Sequence, residues 1–111
     1  MKSINRLAIL VTPREPFLAW ARAIAVESEV VDDAADSLTT VYLVEVPDEF
    51  DPVQVIREHY PEIFVEQLNA WHRDESAWPR RRTEVVFRDW FEARVVDMVW
   101  DLGREPIEPD E

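Results

Sequence analysis

Cysteine is absent from this 111-residue chain, and glycine occurs once, at Gly103. Without cysteine there is no disulfide, thiol nucleophile, redox pair or thiolate metal ligand. A cysteine-free composition fits a reducing compartment, so the expected location is cytoplasmic. Phosphate-cradling loops, dinucleotide fingerprints, nucleophile elbows and calcium loops all need glycine for a tight turn or a close backbone approach. One glycine at position 103 builds none of them. Histidine occurs twice, as His59 and His72, too few for an all-histidine zinc site within one chain. No metal, cofactor or catalytic residue is expected.

Long apolar runs are also missing. The longest stretch without a charged residue is Ser37 to Val44, eight residues, against the roughly 20 of a spanning helix. Met1 to Arg6 is like a signal n-region, but the apolar run after it, Leu7 to Val11, is short and meets Pro13-Arg14-Glu15. No secretory core and no membrane association are expected. Basic residues are scarce: 12 against 24 acidic ones, a net charge of -12 and a pI near 4.5. Such a charge repels a phosphate backbone, so nucleic acid is not an expected partner.

What is present reads as one folded domain, with 47% hydrophobic and 32% charged residues. Arg6 to Thr12 is an apolar run closed by Pro13, the pattern of a strand buried on both faces. Phe17, Trp20, Ala21 and Ile24 recur at helical spacing from about Pro16 to Glu27. Ser28 to Ser37 reads as an acidic loop. Thr39 to Val46 is β-branched and stops at Pro47, a second strand. Asp51-Pro52 is an N-cap with proline at the first helical position, and Val53, Ile56 and Tyr60 form a stripe. Pro61 should break or kink that helix, with a new one carrying Phe64, Leu68 and Trp71. Thr83 caps a further helix with Val86, Phe87, Trp90 and Phe91 inward. From Ala93 the period switches to two, which predicts a third strand ending at Gly103, the alternative being that Val86 to Trp100 continues as helix.

The order is β-α-β-α-α-β. It predicts an α+β fold with a small mixed three-stranded sheet and helices mainly on one face. A β-α-β start favours a parallel crossover, and the last strand should return antiparallel. Residues 1–103 form the globular domain, and 104–111 an acidic disordered tail.

Three groups carry candidate chemistry. No Lys or Arg occurs from Ala23 to Ile56, while Glu27, Glu29, Asp32, Asp33, Asp36, Glu45, Asp48, Glu49 and Asp51 do. That window is either an acidic binding surface or a solvated loop with helix caps. The connector from Trp71 to Arg82 holds two indoles, one imidazole, two carboxylates and four guanidiniums. Its candidate binding residues are His72, Arg73, Trp78, Arg80, Arg81 and Arg82. Arginine forks there either receive an acidic ligand or pair with the chain's own carboxylates. Four of the five tryptophans, Trp20, Trp71, Trp90 and Trp100, fall on inward stripes. Trp78 is either a lid over the core or an exposed anchor.

The run Ala70 to Pro79, the segment Phe87-Arg88-Asp89-Trp90-Phe91 and the opening Asn5 to Phe17 resemble a family of short bacterial proteins of unknown function. The resemblance spans most of the chain. It implies a stand-alone bacterial cytosolic protein and lends no catalytic residue.

The function expected is a non-enzymatic interaction or regulatory module, acting as a homodimer or with a protein partner. Val95 and Val99, beside Asp97 and Asp101, would be the half-exposed face that a second copy covers. The alternative is a small enzyme or ligand binder with a pocket around 71–82, using His72, Asp74, Glu75 and Arg80.

Overall fold

The computed structural model describes residues 2–24 and 38–110. Its strands are β1 (Lys2–Ser3), β2 (Arg6–Pro13), β3 (Thr40–Glu45), β4 (Phe91–Val96) and β5 (Trp100–Asp101). Its helices are α1 (Glu15–Ile24), α2 (Pro52–Trp71) and α3 (Glu84–Trp90), with one 3-10 turn at Glu75–Ala77. The fold is α+β. The acidic loop and Glu27, Glu29, Asp32, Asp33 and Asp36 lie outside the described residues.

β2 is the centre of a three-stranded sheet of order β3-β2-β4. Its two-sided apolar run is what a central strand needs: Leu7, Ala8, Ile9 and Val11 are all buried. Both neighbours run antiparallel to it, with Ile9 opposite Tyr42 on β3 and Val95 on β4. The sheet is therefore purely antiparallel, and the expected parallel crossover is corrected. β3 carries the reason. It alternates strictly between half-buried and exposed positions, the signature of an antiparallel edge with one face in water.

The odd residues of β2 share one face with Tyr42, Val44, Phe91, Ala93 and Val95, and the helices pack on that side. Phe17 of α1, Phe64 of α2, Phe87 of α3 and Phe91 of β4 are fully buried there. Their rings interlock, from 5.1 Å between Phe17 and Phe91 to 5.7 Å between Phe64 and Phe87, in tilted or edge-on geometries that suit aromatic quadrupoles.

α2 starts as its sequence dictates. The Asp51 carboxylate accepts from the Val53 amide at 3.1 Å, and Pro52 needs no partner for an amide it lacks. Pro61 does not divide the helix, which runs unbroken for 20 residues. Its ring stands on the exposed side, where water can take the carbonyl that loses its donor. Val53 is exposed rather than inward, and the buried stripe is Val55, Ile56, Ile63, Phe64, Gln67 and Leu68.

The third strand begins two residues earlier than its period suggests and is interrupted. Beyond Val96 a second ladder pairs Ser3 with Trp100 and Lys2 with Asp101. Between the two ladders four residues, Ile4–Leu7, stand opposite three, Asp97–Val99. The extra residue sits on the N-terminal strand, as in a β-bulge. The alternation of β4 thus continues in phase through Met98, Trp100 and Leu102. Residues 104–110 carry no helix or strand and are exposed.

Candidate functional site

The connector is tied down at several points. His72 ends α2, its amide donating to the Leu68 carbonyl at 2.9 Å. The Asp74 carboxylate then caps the 3-10 turn, accepting from the Ser76 amide at 3.0 Å and the Ser76 hydroxyl at 2.7 Å. Those bonds hold the Asp74 carboxyl below its ordinary range. Trp20 Nε1 donates to the Ala77 carbonyl at 2.8 Å, and Trp78 Nε1 donates to the His72 carbonyl at 2.7 Å.

Trp78 is the lid of the two readings open to it: its side chain is buried in the core cluster. Arg82 closes over it, with its guanidinium carbon 5.7 Å from the indole centre and Nη1 donating to the Pro79 carbonyl at 2.9 Å. Trp20 and Trp90 are half-buried beside it. Trp71, read as inward, keeps its ring edge-on to the buried Phe17 at 6.2 Å while 37% of it is exposed, whereas Trp100, also read as inward, is 52% exposed. Trp71 lies at the rim of α2, and Trp100 lies on the ladder beyond the sheet, where no helix reaches.

Arg73, Arg80 and Arg81 stand exposed in solvent. The ion pairs between described residues join Arg22 to Glu15 at 2.7 Å, and Arg57 and Arg88 to Glu84 at 3.0 and 3.1 Å. None uses a connector arginine. The reading in which these arginines neutralise the chain's own carboxylates has no pair to support it among the described residues. Asp74 is spent on Ser76, and no hydrogen bond links His72, Glu75 or Arg80 side chains to one another among the described residues.

A polar arrangement that no sequence motif signals lies between β3 and α2. Gln67 is a buried polar residue of the helix face. Its amide nitrogen donates to Thr40 Oγ1 at 3.0 Å and to the Tyr42 hydroxyl at 2.8 Å. The Tyr42 hydroxyl in turn donates to the Glu66 carboxylate. Burial and then Glu66 push the Tyr42 phenol upward, so it stays protonated near neutral pH and is neither base nor nucleophile. Beside it a half-open pocket of about 240 Å³ is lined by Tyr42, Leu43, Val44, His59, Glu62, Ile63 and Glu66. Among the described residues, no three His, Asp or Glu side chains are grouped to hold a metal ion.

The most extended feature is the open face of the sheet. By register it is a grid: Leu43, Ala8 and Val96 in one row, Val41, Leu10 and Arg94 in the next. Glu45 and Arg6 close one end, and Thr39, Thr12 and Glu92 the other, with the two threonine hydroxyls 2.9 Å apart. Val41 and Leu43 are 55% and 46% exposed. Met98, Trp100 and Leu102 prolong the β4 phase along the second ladder at 61%, 52% and 71% exposed. Alternation over 94–102 is legible in the sequence, but its apolar phase was assigned inward and points to water. Val95, expected on the half-exposed face, packs against the core instead.

No helix among the described residues is long and apolar enough to cross a membrane. Comparison with protein-family models, curated proteins and solved structures found no match, and no family assignment follows.

Proposed function

We propose that the chain is a non-enzymatic protein-interaction module whose contact surface is the open face of its sheet. One observation carries this reading: Val41 and Leu43 are large, apolar and exposed on the open face of the sheet, and Met98, Trp100 and Leu102, just past the end of β4, are exposed as well. On the order of 500 Å² of apolar surface in one patch is at the upper end of what a monomer leaves in water, and patches of that size mark contact sites. Apart from Arg94 at the outer end of one row, charge on the three-stranded sheet is kept to the ends of the face, close to the usual layout of a protein interface. We read the setting as cytoplasmic, which the cysteine-free composition favours.

The connector supports a second contact. Arg73, Arg80 and Arg81 present three guanidiniums with no ion pair among the described residues, on a segment fixed by Trp78 and Asp74, in a chain of net charge -12. A preordered set of arginine forks suits carboxylates of an acidic partner.

Photo-crosslinking in the cell that makes the protein tests the main reading. A photoreactive residue at Leu43 or Trp100 should give protein adducts, and one at Asn69, exposed on α2, should not. Equal yield from all three positions would dismiss the open face as the contact surface.

A further inference from the structure

We infer that the occupant of the open face is a second copy of this chain, packed face to face about a two-fold axis. The inference rests on the reading that this face is the contact surface, and it adds the identity of what covers it.

Charge is the first argument. The chain carries a net charge of -12. The open face carries Arg6 and Arg94 against Glu45 and Glu92, a balance of zero. Two copies approaching by this face bring matched numbers of each sign to the rim. Approach by a surface that carries part of that acidic excess brings like charges together, and like charges at an interface cost binding. A face free of the molecule's own excess charge is what self-association requires.

Area is the second argument. A stable interface takes about 800 Å² from each partner. The exposed apolar side chains supply on the order of 500 Å² of that, and the threonines and charged ends supply the polar rim. An isologous contact uses the same patch twice, so no second complementary surface is needed. The centre of the face is mostly apolar: Leu43, Val96, Val41 and Leu10 surround the buried Ala8, with Arg94 at the outer end of one row, and a two-fold axis in the plane of the interface pairs these apolar groups with one another across the contact. Such a centre is typical of homodimers, which are more apolar than transient complexes.

The ladder of β1 and β5 completes the contact. Met98, Trp100 and Leu102 lie past the end of the three-stranded sheet, so in the dimer they reach over the margin of the partner. Trp100 is half-exposed in one copy and is the largest apolar group on the face. Large aromatic groups of this kind dominate interface energetics.

Sedimentation velocity of the purified full-length protein between about 1 and 100 μM tests the inference, since a dimer dissociates on dilution by mass action. The expected result is a dimer in wild type. Leu43→Glu should weaken it at least about tenfold, because a buried unpaired carboxylate is placed at the centre. Trp100→Ala, outside the three-stranded sheet and exposed, should weaken it too while far-UV circular dichroism stays native. The second variant keeps the test valid if the first misfolds. A wild-type monomer at about 100 μM would overturn the inference, as would a dimer that neither variant weakens. The cross-link separates this failure from failure of the contact-surface reading. An adduct from Leu43 at twice the chain mass supports self-association. An adduct of any other mass sinks the second copy but keeps the face as the contact surface.

Discussion

At the scale of single residues, Trp78 and Glu84 show how little of a side chain's role is set by its type. Trp78 joins an aromatic connector to the core through one indole nitrogen and a buried ring. Trp78→Phe keeps most of the apolar fill and deletes the bond to His72, so thermal melts should fall by about 1 kcal/mol. Trp78→Ala leaves a cavity and frees the strap, at a cost of about 3 to 5 kcal/mol by chemical denaturation. Glu84 takes two arginines, Arg57 first and Arg88 second, and they hold its carboxyl below the ordinary range. A carboxyl lowered in the folded state stabilises the fold above its unfolded value of about 4.3 and loses that contribution as pH falls through the lowered value. Melting curves of wild type and Glu84→Gln should therefore differ at pH 7 and converge under acid. Curves that stay separated by the same margin at low pH would contradict the assignment.

At the scale of elements, α2 makes the sharpest prediction. Pro61 sits mid-helix on the exposed side, where it removes one backbone donor and packs against nothing in the core cluster. Pro61→Ala should raise stability, by up to about 3 kcal/mol, and a lowered melting temperature would count against an unbroken helix. Expecting a break there followed from local propensity. What overrides it is non-local: the buried stripe runs on both sides of Pro61, from Val55 to Leu68, and packing holds both turns to one axis. The same limit explains the strands. β-branched composition identified β3, period two identified β4, and two-sided apolarity marked β2 as a strand buried on both faces. Direction was not legible, because pairing of β2 with β3 is decided by residues more than 25 positions apart. The face of 94–102 was misread for a related reason. A period gives two candidate faces, and only the position of the helices says which is wet. The connector was found by composition, whereas the Gln67, Tyr42 and Glu66 group was not, since its members meet only through the β3 and α2 contact.

At the scale of the whole molecule, charge governs behaviour. Excess carboxylates repel one another across the surface, and salt screens that repulsion within a Debye length of about 10 Å at 0.1 M. Raising salt from about 10 to 200 mM should therefore raise the melting temperature and strengthen self-association together. A melting temperature that falls with salt would mean that attractive pairs outweigh the repulsion. Replacing Arg80 and Arg81 by Ala together should shift stability by less than about 1 kcal/mol, because neither makes an ion pair with a described residue. A larger loss in denaturant titration would show that these arginines serve the fold.

The central strand comes from residues 6–13 and its neighbour β4 from residues 91–96, while β1 waits for β5 at residues 100–101. Contacts this distant in sequence make a high-contact-order topology, and they delay folding. During synthesis β2 stays without its second partner until residues 91–96 have left the ribosome, so its apolar edge is exposed until then. Chains shortened before Phe91 keep β2, β3 and the three helices but leave one edge of β2 unpaired and lose Phe91 from the core. They should aggregate rather than fold as smaller domains, and the last strand acts as the trigger for the whole core.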